Sequence, residues 1–137
     1  MNLERIIKEA LPALQITGTW IQKEAQSFDL NEVVLKGKND LVSYVDKEAE
    51  KKLVTDLKKI LPEAGFITEE DTTDDDQKEF IWIIDPLDGT TNYIHGLPVY
   101  SIRVGLLQGR NVVGGIVYEL NKMNSFCLER WRCFFKR

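Results

Sequence analysis

A run of apolar residues that breaks into acids constrains this chain more than any other feature. Trp82-Ile83-Ile84 leads into Asp85-Pro86-Leu87-Asp88-Gly89-Thr90-Thr91-Asn92-Tyr93-Ile94-His95. Phe80 to Ile84 is continuously apolar, the pattern of a strand buried on both faces in a layered α/β arrangement. The acids, glycine and threonines that follow mark a turn or helix start, so the strand delivers carboxylates to that turn. Upstream, Ala64-Gly65-Phe66-Ile67-Thr68 likewise ends in Glu69-Glu70-Asp71. Two strands that end in carboxylate clusters point to a metal and phosphate site.

A chain of 137 residues is expected to form one domain with a real core. With 43% hydrophobic and 29% charged residues, it holds no apolar run long enough to span a bilayer. The opening Met1-Asn2-Leu3-Glu4-Arg5 carries both charge signs and leads into an amphipathic pattern, unlike a secretory signal. A cytoplasmic location with no membrane partner is the default expectation. The formal charge of −4 divides unevenly: residues 1–120 hold 13 Lys/Arg and 21 Asp/Glu, net −8, while 121–137 hold 5 Lys/Arg and one Glu, net +4. An acidic body argues against a nucleic-acid partner and suits a site that gathers divalent cations. Cys127 and Cys133 both lie in the basic tail, spaced as neither C-x-x-C nor a common zinc set, which disfavours disulfide and zinc readings.

From Leu3 to about Gln26, Leu3, Ile6, Ile7, Ala10, Leu14, Trp20, Ile21 and Ala25 recur at helical spacing, with Pro12 and Gly18 expected to kink or split the helix. Glu32-Val33-Val34-Leu35-Lys36 reads as a short strand and Gly37-Lys38-Asn39-Asp40 as a polar connection. Ser43 suits the N-cap of a helix to about Ile60, striped by Val45, Ala49, Leu53, Leu57 and Ile60, with Asp46 in its first turn. An acid there ordinarily complements the helix dipole, so position alone does not make Asp46 functional. Phe66-Ile67-Thr68 is a strand, and Thr72 to Glu79 an acidic loop without the spacing of a calcium-binding loop. Val99 to Leu107 and Asn111 to Tyr118 read as an antiparallel hairpin joined at Gln108-Gly109-Arg110. Internal repeats and low-complexity segments are absent from the sequence.

Magnesium binds hard oxygen ligands, keeps several waters and needs only a few carboxylates beside an open face. Pro86 prevents Asp85 from continuing into a helix, and a sharp turn between Asp85 and Asp88 would let both carboxylates, with the Leu87 carbonyl, face one point. Gly89 and Thr90 would then offer backbone amides to a phosphate oxygen. The plain alternative is a strand-end turn capped by Asp88, and Glu69-Glu70 weigh against it. A haloacid-dehalogenase-type phosphatase places its two aspartates two residues apart on an extended segment. Here they stand three apart around Pro86, which fits water as nucleophile rather than a covalent aspartyl phosphate.

W-I-I-D-P-L-D-G-T-T-N-Y-I-H, preceded by G-F-I-T-E-E and by K-G-K-N-D-L-V-S-Y-V-D, resembles the signature segments of the inositol monophosphatase family, in that family's order and from about Val33 to Lys122. The family is magnesium-dependent and belongs to the lithium-sensitive phosphatase superfamily. The resemblance implies a layered α/β sandwich of the inositol monophosphatase and fructose-1,6-bisphosphatase type. This chain would be its N-terminal αβ portion, with a mixed, largely antiparallel sheet. It further implies that Glu69, Asp85 and the Leu87 carbonyl hold one Mg²⁺ and that Asp85 and Asp88 hold a second. Asp88, Gly89 and Thr90 would bind the substrate phosphate. Water activated by Glu69 and the Thr90 hydroxyl, with Asp46 orienting Thr90, would attack phosphorus in line. Glu70 would be an acid behind the ligands and His95 a structural polar residue. The implied substrate is inositol 1-phosphate or a related small phosphate ester, and the implied full-length assembly is a homodimer.

Residues 1–122 are thus read as an N-terminal portion of this domain and 123–137 as a tail that fits no family strand. Codons exist for Cys127 to Arg137 that, read one base later, spell A-W-K-G-G-G-A-F-L-N-G, which resembles the family's next segment. The tail is therefore expected to be an out-of-frame product. The second half of the family's domain, which supplies a further aspartate and most ring contacts, is not recognisable here. The expectations that follow are an uncovered apolar sheet face, self-association, and, as the alternative to an active phosphatase, an impaired fragment that binds metal weakly.

Overall fold

A computed structural model describes residues 2–27, 35–69, 77–122, 124–129 and 132–136, the backbone alone at 35–39 and from 124 onward. In chain order the elements are α1 (Leu3–Gln26), α2 (Leu35–Ile60), β1 (Gly65–Thr68), β2 (Phe80–Asp88), α3 (Thr90–Ile94), β3 (Ser101–Gln108), β4 (Asn111–Glu119), β5 (Asn124–Glu129) and β6 (Arg132–Lys136).

Asn2 caps α1 by accepting the Arg5 N–H on its side chain at 3.1 Å, and the helix then runs unbroken through Pro12 and Gly18. The expected kink is absent because Pro12 forfeits a single main-chain bond, while Leu3, Ile6, Ile7, Ala10, Leu14 and Ile21 bury one continuous stripe. Gly18 serves packing: a Cβ there would stand 2.8 Å from Tyr118 Cε1, so only glycine lets α1 lie this close to β4.

Helix α2 begins earlier than Ser43. Leu35 to Asp40 are helical, which corrects the strand and the polar connection expected there; Glu32, Val33 and Val34 lie outside the described residues. Leu41 and Val42 pack against the core and extend the stripe of Val45, Ala49, Leu53 and Leu57 upstream, which offsets the roughly 1 kcal/mol cost of a helical glycine at Gly37. Asp46 therefore sits inside the helix, and a first-turn dipole role is excluded.

The six strands form one sheet in the order β1-β2-β3-β4-β5-β6. β1 pairs with β2 in parallel and every other neighbour is antiparallel, the mixed, largely antiparallel sheet expected. Helices α1 and α2 bury Trp82, Ile84, Ile102, Val104, Leu106 and Ile116 against one face. β2 is buried on both faces, as its apolar run suggests, only at its start, where Ile81 on the uncovered side is 6% exposed against Trp82 on the covered side. Ile83, also on the uncovered side, is 38% exposed, and Val117 and Val112 on the same side are 40% and 59% exposed. Residues 124–129 and 132–136 continue the sheet as β5 and β6. Ladder bonds satisfy the backbone groups of β4 whatever side chains the partner carries. No helix among the described residues is long and apolar enough to cross a membrane.

Candidate metal and phosphate site

In a regular strand, residues three apart point to opposite faces. β2 escapes this because its pairing with β3 shifts between Asp85↔Arg103 and Asp88↔Ser101, the two residues Pro86 and Leu87 opposing the single Ile102. The extra residue is a β-bulge at Pro86-Leu87, where proline has no N–H to give the ladder. Leu87 stays in the core at 2% exposure, and Asp85 and Asp88 both emerge on the open face. The convergence expected from a sharp turn is thus achieved by a bulge inside a continuous strand.

Both acids meet one cation. Arg103 Nη2 lies 2.7 Å from Asp85 Oδ2 and 3.3 Å from Asp88 Oδ1, and its Nε donates to Asp85 Oδ2 at 3.3 Å. Hydrogen bonding to Asp85, helped by the charges of Asp88, Asp85 and Glu69 against partial burial, raises the Arg103 pKa above its ordinary value. Glu69 belongs to this neighbourhood because parallel register sets Thr68 beside Ile84, so the residues next in line, Glu69 and Asp85, leave their strands side by side. Glu70 lies outside the described residues.

After Asp88 the chain turns into α3 through Gly89 at φ 93°, ψ 39°. Asn92 Nδ2 donates to the Val99 carbonyl at 2.8 Å and the Tyr93 hydroxyl donates to the Ile21 carbonyl at 3.2 Å, which fasten this short helix to the loop and to α1. Tyr93 stacks edge-on against Tyr100 at 5.2 Å. Thr90 opens α3, and α2, which carries the half-buried Asp46, packs against both α3 and β2. His95 is exposed, its backbone N–H bonded to the Thr91 carbonyl at 3.2 Å.

Arg103 was not among the sequence candidates. Its signal was a lone charge in the apolar strand Val99–Leu107, in opposite phase to Ile102 and Val104, yet its partner was set by register rather than by spacing. Among the described residues no three acidic, histidine or cysteine side chains stand close enough to grip an ion unaided. The donor chemistry nonetheless fits a magnesium ion, which needs one or two carboxylates and retains water. Two aspartates already converge on a positive charge, with Glu69 near it and the Leu87 carbonyl on the strand between them.

The sequence model of the Inositol monophosphatase family matches residues 2–135. This chain belongs to the inositol monophosphatase family. An inositol-1-monophosphatase of Mesorhizobium japonicum is 39% identical over 100 residues, 72% of this chain and 38% of that protein. The Nus factor SuhB of Escherichia coli K12 is 36% identical over 126 residues, 88% of this chain and 46% of that protein. The crystal structure of the extragenic suppressor protein suhB from Bartonella henselae superimposes with a TM-score of 0.80 at 30% identity, covering 96% of this chain and 51% of the other. The chain thus spans less than half the length of those curated inositol monophosphatase and SuhB relatives. The family match includes β5 and most of β6.

Proposed function

We propose that this chain carries the cation- and phosphate-binding part of a magnesium-dependent phosphomonoesterase acting on inositol 1-phosphate or a related small sugar phosphate. The observation that carries the reading is the bulge that turns Asp85 and Asp88 onto one face, where both meet a single positive charge. Glu69, Asp85 and the Leu87 carbonyl would hold one Mg²⁺, and Asp85 with Asp88 a second. Bound there, the ion would supply a Lewis acid that offsets phosphate charge and lowers the pKa of water. Glu69 would take the proton from the attacking water, which the Thr90 hydroxyl would hold by a hydrogen bond, with Asp46 orienting Thr90 from α2. The Gly89 and Thr90 amides would donate to phosphate oxygens; α3 has five residues, so local N–H groups rather than a long helix dipole would do this.

Phosphate release from inositol 1-phosphate with and without Mg²⁺ tests the reading. Electrostatic stabilisers of a transition state are each worth on the order of 10²–10³ in rate, so Asp85→Asn should lower Mg²⁺-dependent release by about that factor. Equal release by the variant would sink the assignment. No release by either chain would favour the impaired fragment that binds metal weakly.

A further inference from the structure

We propose that Arg103 is a tethered competitor for the divalent cation: its guanidinium holds Asp85 and Asp88 together, and an ion enters only by displacing it. A single atom, Arg103 Nη2, reaches Oδ2 of Asp85 at 2.7 Å and Oδ1 of Asp88 at 3.3 Å, so it occupies the point that a bridging ion would share. Displacement is physically easy. The Arg103 side chain is 52% exposed, and Asp85 and Asp88 are 23% and 48% exposed, so the guanidinium can swing into solvent without opening the core. Exposed pairs of this kind are weak and screened by salt. Across β3 and β4, Arg103 faces Val117, which offers no second carboxylate in the register. Arg103 stays protonated throughout the neutral range, so the competition persists there and depends on cation concentration rather than on pH. The device would keep the acids aligned at low Mg²⁺ and raise the concentration at which the site fills.

The proposal rests on Asp85 and Asp88 being cation ligands, and its test separates the two ideas. Mn²⁺ binding to the full chain is followed by electron paramagnetic resonance, alongside the rise in melting temperature with added cation. Arg103→Gln should bind Mn²⁺ about fivefold more tightly than the parent, the value of one exposed ion pair. It should melt lower without cation and gain more from it. Arg103→Lys, which keeps charge but loses the fork, should fall between them and guards against misfolding, checked by circular dichroism. Unchanged or weaker Mn²⁺ binding by a folded Arg103→Gln chain, with binding still lost in Asp85→Asn, overturns the competitor role alone. Mn²⁺ bound equally well by Asp85→Asn, or by none of the chains, overturns the ligand reading and the proposal with it.

Discussion

Gly89 shows how one residue sets the geometry of the site. It sits at φ 93° between Asp88 and Thr90, and a Cβ there would meet the Val99 carbonyl oxygen at 2.9 Å. Left-handed backbone costs an ordinary residue about 1–2 kcal/mol, and a clash against main chain adds to this. Gly89→Ala should lower stability by about 2 kcal/mol or more, read as a lower urea midpoint with unchanged slope. An unaltered midpoint would mean that the turn relaxes freely. The acids Glu69, Asp85 and Asp88 were legible as residues because each ends a short apolar run. Arg103 was not, because its meaning lies in the residues opposite it in β2.

At the level of elements, boundaries moved where local signals were weak and tertiary contacts were strong. Gly37 and Asn39 argued for a loop, yet α2 includes them because packing by Leu41 and Val42 continues the helix stripe. β5 and β6 make the same point differently, since strand pairing is a backbone property and accepts any sequence of suitable alternation. Their existence therefore leaves open which reading frame supplied their side chains, and we propose that the basic tail from about residue 123 is out of frame. The coding DNA should yield A-W-K-G-G-G-A-F-L-N-G when read one base later across Cys127 to Arg137. A coding sequence that cannot do so removes the idea.

For the whole molecule, two helices cover one face of the sheet, and Asp85, Asp88 and Arg103 of the candidate site lie on the other. Burial of the hydroxyl-bearing rings on the covered side has a pH consequence. Tyr93, Tyr100 and Tyr118 all have pKa values raised above 10.0, desolvation being the largest cause in each. The folded chain then holds these protons more tightly than the unfolded one. Their contribution to stability is complete below the unfolded tyrosine value of about 10 and is lost as pH rises through the folded values. The melting temperature should thus fall above about pH 10, and phenolate absorbance should appear together with unfolding. Phenolate titrating near its ordinary pKa in a chain that stays folded would contradict this.

The sequence by itself determined the acid-ended strands, the amphipathic first helix, the β3–β4 hairpin and the family, because each is written in local periodicity or in contiguous motifs. The tertiary structure decided the rest. The bulge that aligns Asp85 with Asp88, the guanidinium between them, the early start of α2 and the exposed face at Ile83 all depend on which strand or helix lies alongside. Register and layer coverage are non-local, and no spacing within one segment records them.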